Sequence, residues 1–379
     1  MTTTTTLVQA AGTARRRGVL DVELLEGMGA FEALRPEWDA LLGRGPVDQP
    51  FQRHAWIRAW LRAFAPSAPL RLVVARDATG APIGIAPLLE RRRGGLVVLE
   101  APANDHSSRV EWILGEDPRA AVDALWGCIR DRLSWDLLVL RDVPVEGPTS
   151  TWLDRAARAD RHLVGRWRSL DTPYLTLGGA ARGSGPSTKF LANLRRRMRR
   201  LEEQGAVSYR RVDGGGEVGP FLDRFLALEA AGWKGREGTA IAHDRRAAAF
   251  YRMVAEAAAG EGWLALRSLD LDGRPVAMHL GLLHRGVYAL PKPAYDESLA
   301  PCSPGQLLLR EVLAECEARR LGELDFLGPD MPWKRDWAPA IRPHDWLHVY
   351  RPGPTGAALH AVKHRLKPLA KEVLSWWRR

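Results

Sequence analysis

The chain has 379 residues, enough for two domains of roughly 150–180 residues each rather than one ordinary core. Its 46% hydrophobic and 26% charged content is that of a folded soluble protein, and no stretch approaches the run of about 18 apolar residues that excludes water from a helical membrane span. The formal net charge of +10 suits a polyanionic partner, whether CoA phosphates, a nucleotide-linked substrate, RNA or an anionic membrane surface, and does not choose among them.

In chain order, residues 1–18 read as a disordered leader: threonines and then Arg15, Arg16 and Arg17, with no apolar segment after them to make a secretory or twin-arginine signal. Cys128, Cys302 and Cys316 lie far apart without paired spacing, which argues against a disulfide framework and against a zinc site. A cytoplasmic, reducing location and no metal are expected. Trp56, Trp60 and Phe64 recur every four residues and predict a core-facing helical stripe in preference to a ligand cage.

Arg71–Leu89 is a strand, a turn at Asp77–Pro82 and a second strand; Leu264–Leu283 repeats that plan, with Gly273 and Pro275 matching Gly80 and Pro82. Each copy continues into an Arg-Gly turn and a third strand (Leu96–Glu100, Val287–Leu290), then a polar stretch containing Asp105 or Asp296. Helices starting at Pro118 and Pro304 follow, each leading to another strand, Trp135–Leu140 or Glu323–Leu327. The duplication predicts an α/β (α+β) protein: two domains of like fold over residues 19–175 and 187–352, each a mixed sheet flanked by helices. Gly178-Gly179 and Gly183-Ser-Gly-Pro186 punctuate the boundary, placed near residues 168–187.

The second unit opens on a predicted helix over Ser187–Gly205, with Ser187 as its N-cap, Phe190, Leu194, Met198 and Leu201 on one face, and arginines on the other. That basic face is either solvated or turned to phosphates. Of the 55 basic residues only 7 are lysine: Lys189, Lys234, Lys292, Lys334, Lys363, Lys367 and Lys371. A compact ammonium differs from a guanidinium in hydration and reach, so a lysine kept in an arginine-rich chain hints at a required point charge, with chance as the plain alternative. Residues 353–379 predict a basic amphipathic helix ending in Trp-Trp-Arg-Arg, either packed on the protein or lying peripherally on a membrane.

Gly232-Trp-Lys-Gly235, Ala294-Tyr-Asp296, Ser303-Pro-Gly-Gln-Leu307, Leu324-Asp-Phe-Leu-Gly328 and Trp333-Lys-Arg-Asp-Trp337 occur in the order seen in the GNAT acyltransferase superfamily. The second half resembles the CelD/BcsL-type acetyltransferases linked to polysaccharide biosynthesis, relatives of the Fem-type peptidyltransferases. The resemblance implies an acyl-CoA donor, acetyl-CoA first among them, and an amine or hydroxyl acceptor on a sugar, nucleotide sugar or small molecule. A Fem-like use of aminoacyl-tRNA and a non-catalytic binding module in envelope assembly are the competing readings.

Ser303, Pro304, Gly305, Gln306 and Leu307 form the implied cofactor turn. A helix start carries unpaired N–H groups and a partial positive charge, and glycine lets an anion approach. The N-terminal counterpart begins Asp117-Pro118-Arg119, with a carboxylate and no glycine, and is not expected to bind CoA. Acyl transfer needs a proton acceptor and a cation. His279 and Asp296 compete as the base, and Lys334 is the expected cation near the reacting centre. Trp233, Lys234, Lys292, Tyr295 and Arg335 are the expected substrate contacts. A covalent route through Cys302 lacks an identifiable activating base. Asn104–Ser108 is either a polar loop or part of the acceptor wall.

Overall fold

The computed structural model describes residues 21–178, 185–337 and 340–366; the predicted leader and residues 367–379 of the predicted tail helix lie outside this range. The first half runs β1 (Asp21–Glu26), α1 (Gly27–Ala33), α2 (Arg35–Arg44), α3 (His54–Phe64), β2 (Leu70–Arg76), β3 (Pro82–Arg93), β4 (Leu96–Glu100), β5 (Ile113–Leu114), α4 (Pro118–Arg132), β6 (Leu137–Pro144), α5 (Pro148–Ala159) and β7 (Leu163–Thr176). The second runs α6 (Thr188–Glu202), β8 (Val207–Val212), α7 (Val218–Ala231), α8 (Trp233–Arg236), α9 (Arg245–Glu261), β9 (Leu264–Leu271), β10 (Arg274–His284), β11 (Val287–Tyr295), α10 (Pro304–Ala318), β12 (Glu323–Asp325), α11 (Pro332–Arg335), β13 (Ala340–Tyr350) and α12 (Pro354–Ala361).

Local chemistry accounts for the repeated hairpins. Between β2 and β3, Asp77 accepts from the Thr79 and Ala81 N–H groups at 2.8 and 3.1 Å while Gly80 takes φ +84°. Between β9 and β10, Asp272 and Gly273 both have positive φ, +49° and +75°, the two-residue Asp-Gly turn that suits a twisted hairpin. At α6 the Ser187 hydroxyl accepts from Phe190 N at 3.1 Å, as the predicted N-cap requires.

All the principal strands join one mixed sheet in the order β1-β2-β3-β4-β6-β13-β7-β12-β11-β10-β9-β8. The halves are topological copies that have exchanged their last strands. β7 closes the first half yet pairs with β12, β13 closes the second half yet pairs with β6, and the two lie antiparallel to each other at the centre. Residues 168–176, inside the boundary region expected from glycine punctuation, are therefore sheet. The contiguous units read from the sequence are each completed by a strand of the other.

Three apolar clusters fill the two faces. One spans both halves under α1–α3, α7 and α9, with Trp56 of the tryptophan stripe edge-on to Phe250 at 5.2 Å. The second lies under α4 and α5, and the third under α6 and α10. The three cysteines are free and buried. α12 and the turn after it pack on the sheet, where a Cβ at Gly165 would fall 2.1 Å from the His364 ring. Among the described residues no helix is long and apolar enough to cross a membrane.

Each half contains one parallel pair, β4 with β6 and β11 with β12, and each pairs over only three residues before the strands part. In the first half residues 101–112 fill the opening and bury Ser107, Arg109 and Glu111. Glu111 accepts from Thr149 N at 3.0 Å, and burial pushes its carboxyl up to about 7. A folded-state value above the unfolded one stabilises at low pH and loses that contribution as pH rises through about 7. Between pH 5 and pH 8 the native protein should therefore lose about 2–3 kcal/mol more than Glu111→Gln, read from urea midpoints at each pH. Parallel curves for the two proteins would contradict this.

In the second half the opening stays free. β11 runs past the predicted end at Leu290 to Tyr295, because a bulge places Leu290 and Pro291 opposite the single residue Gly281. Asp296 N donates to Val276 O at 2.8 Å, so by alternation Pro293 turns its N–H-less edge away from β10, toward the opening. A proline there leaves no ladder donor unpaired.

Candidate active site

The gap between β11 and β12 opens into a cavity of about 890 Å³, lined by both halves of the chain. It reaches both faces of the sheet. Lys292, opposite Leu280, shares the α7–α9 face with Tyr251, whose ring lies 5.8 Å from the Lys292 ammonium. His279, opposite Pro293, points to the other face, where its Nδ1 lies 3.5 Å from the Tyr288 hydroxyl.

On the α10 face, Ser303, Gly305 and Gln306 line the cavity, whereas Pro304 is buried and Leu307 is fully enclosed core. Ser303 sits at φ +51° and its carbonyl accepts from Gln306 N and Leu307 N, so the turn satisfies most of its own donors. Among the described residues the Gly305 N–H keeps no backbone partner. Arg197 of α6 donates to Ser303 Oγ at 2.8 Å and brings a guanidinium to the same spot. Gly305 is close-packed on Tyr295, a Cβ falling 3.5 Å from the ring. The anion capacity of this end is therefore one N–H, a helix start and an arginine, rather than the row of N–H groups expected from the sequence.

Lys334 is buried at the floor of the cavity. Its ammonium donates to Leu327 O and, at 2.8 Å, to Pro329 O, and stands 5.6 Å from the Trp333 ring. Burial pulls it down to about 8 against the opposing pull of Asp325 and Asp330. Gln306 accepts from Trp337 Nε1 and donates to Trp333 O at 3.3 Å, tying the start of α10 to α11. Arg335, by contrast, is exposed, pairs with Asp330 at 2.8 Å and does not line the cavity.

The two bases read from the sequence fare differently from Lys334. Asp296 does not line the cavity: it caps the turn at Ser298, with its N–H at 3.0 Å, and pairs with Arg274 at 2.9 Å. Burial raises it, but those hydrogen bonds and Arg274 outweigh the burial and hold it below the usual carboxylate range. His279 reaches the cavity, but burial and then Arg267 push it down to about 3, which makes it a weak proton acceptor at neutral pH.

On the α7–α9 side, Lys234 is paired with buried Glu229 at 2.7 Å. Trp233 and Tyr295 stand at the rim, 42% and 38% exposed. The Asn104–Ser108 loop lines the cavity from the first half. Its His106 stacks on Phe64 at 5.5 Å, meets the Tyr251 hydroxyl at 3.2 Å, and is pushed down to about 4 by burial and then by Lys292. Arg141 lies over the Trp346 ring at 4.3 Å and also lines this wall.

Sequence reasoning missed the ion cluster beneath the floor. Asp325, fully buried at the end of β12, accepts from Arg109, from Arg342 at 2.8 Å and from Leu327 N at 2.9 Å. Arg342 also pairs with Glu323 at 2.9 Å. Asp325 was visible inside the Leu324–Gly328 motif; Arg109 and Arg342 carry no local signal, since only the sheet order brings them together.

Residues 188–335 match the family model described as acetyltransferase (GNAT) domain. Over those residues the chain is similar to a GNAT domain. FemX shares the fold at a TM-score of 0.60 and 12% identity, over 90% of this chain and 99% of that one. A protein of unknown function from Bacteroides thetaiotaomicron follows at 0.54 and 13%, covering 84% and 97%. The C-terminal DUF2156 domain of a protein assigned as a lysylphosphatidylglycerol synthetase from Agrobacterium fabrum gives 0.52 and 11%, covering 87% and 95%. No curated protein matches the chain in sequence. At these identities the solved structures show a shared fold, which here extends over both halves.

Proposed function

We propose that the protein is an acyl-CoA-dependent acyltransferase whose donor enters from the α10 face and whose acceptor enters from the α7–α9 face. The observation that carries this reading is the cavity itself: it passes through the one parallel strand pair left open, and it joins the Ser303–Gly305 turn to a wall built by the first half. An acyl-CoA would supply an activated carbonyl. The residues present suit its anionic end, since Gly305 offers an N–H without a backbone partner and Arg197 adds positive charge. Lys334 would keep a positive charge beside the reacting carbonyl, and the bent, bulged edge of β11 would guide the arm between the strands. The acceptor would be an amine or hydroxyl on a sugar, nucleotide sugar or small molecule, as in the polysaccharide-linked acetyltransferases.

One observation favours a second reading, transfer from aminoacyl-tRNA. Arg195, Arg196, Arg199 and Arg200 of α6 are exposed, and among the described residues none of them forms an ion pair, unlike Arg109, Arg267 and Arg342. Calorimetry with acetyl-CoA, longer acyl-CoAs and aminoacyl-tRNA separates the two. For the first reading acetyl-CoA binds, and Gly305→Glu, which sets a carboxylate at the turn, weakens it on the order of 100-fold. Binding of tRNA with no response to any acyl-CoA would overturn it.

A further inference from the structure

We propose that the α7–α9 end of the cavity is an anion site centred on Lys292, so that the acceptor carries a carboxylate or phosphate as well as its nucleophile. This rests on the acyltransferase reading of the cavity and narrows its acceptor class.

Lys292 stands at the centre of a set of groups whose charges are otherwise settled. Glu229 holds Lys234 at 2.7 Å and the Ile241 N–H at 2.9 Å. Asp105 is tied to Arg141 at 3.0 Å. Lys292 itself makes no hydrogen bond or ion pair among the described residues; its one close contact is the Tyr251 ring, 5.8 Å from the ammonium. Lys292 lines the cavity. A half-buried ammonium with every nearby carboxylate already engaged is a cation awaiting an anion from the ligand.

The surroundings fix the chemistry of that anion further. His106 and Tyr251 close the wall beside Lys292, and Lys234 and Arg141 stand at its edges already paired with Glu229 and Asp105, so Lys292 supplies the unpaired positive charge among these groups. Burial, and then the charge of Lys292, hold His106 below its ordinary range. An anion seated on Lys292 would offset the second of these effects and leave the first in place. Lysine, rather than arginine, fits a monodentate contact in a space bounded by an aromatic ring.

Tryptophans 167, 233, 333 and 346 line the cavity and report its occupancy by fluorescence. The full chain, with acetyl-CoA present in excess to fill the donor end, is titrated with inorganic phosphate in one arm and citrate in the other. The native protein should give a saturable response in at least one arm, Lys292→Met should weaken it about 10-fold or more, and Lys292→Arg should retain part of it. The arm that responds names phosphate or carboxylate. No saturable response in either arm, or an equal response in Lys292→Met, would overturn the proposal. The acetyl-CoA isotherm of each protein, measured alone, shows that the variants are folded. Its loss in the native protein counts against the acyl-CoA reading and not against the anion site.

Discussion

Replacing Asp325 by alanine is expected to lower the stability of the whole chain by about 3–5 kcal/mol, because it strands the buried guanidinium of Arg109 and takes one of two partners from the half-buried Arg342. Asp325 is the one carboxylate shared by Arg109 of the first half and Arg342 of β13, and it also accepts the Leu327 N–H. Arg109 has almost no access to water, so its charge finds no replacement partner. Arg342 retains Glu323 at 2.9 Å, which identifies Arg109 as the principal source of the loss. Urea unfolding followed by far-UV circular dichroism measures it. A companion Arg109→Met, Asp325→Leu double variant should recover much of the stability, since removing both partners leaves no buried charge. A loss below about 1 kcal/mol for Asp325→Ala would show that the cluster is not dry. The same substitution loosens the floor of the cavity, because β12 ends at this residue.

Lys334→Met is expected to reduce turnover on the order of 100-fold or more while leaving a folded protein. In the structure the ammonium spends two of its three donors on Leu327 O and Pro329 O, across a turn where Leu327 and Gly328 both take positive φ, +51° and +57°. Two effects are therefore expected: about 1–3 kcal/mol of stability from the carbonyls left unpaired, and the loss of a positive charge where the acyl carbonyl would lie. Lys334→Arg tells them apart. A guanidinium can satisfy the carbonyls, so stability should return more fully than turnover. Since burial draws Lys334 down to about 8, turnover that depends on its charged form should fall as pH rises through that value. A flat profile from pH 7 to pH 9.5, or full activity in Lys334→Met, would remove it from the reaction.

How much of this was legible beforehand depends on the range of the interaction. The hairpin turns at Asp77–Gly80 and Asp272–Gly273, the N-cap at Ser187 and the proline starts of α4 and α10 are local, and each was written within a few residues. The duplicated order of elements followed from them. The candidate cavity residues were readable where a motif kept unusual chemistry together, as at Ser303–Gln306 and at Trp333-Lys334. His279 and Asp296 show the limit. Both are suitable residue types beside the right strand, yet one is held neutral by burial and the other is engaged in capping its own turn.

By itself the sequence determined the α/β class and the repeat, because these depend on periodicity and turn chemistry. Only the tertiary structure decided the exchange of β7 and β13, the filling of one strand gap by residues 101–112, and the wall that His106 and Arg141 add to the other. It also decided which charges are satisfied. Arg109 meets Asp325 across 216 positions, and Lys292 is left without a carboxylate because Glu229 and Asp105 are engaged elsewhere. Strand order and burial set those partnerships, and neither is written in any local stretch of the chain.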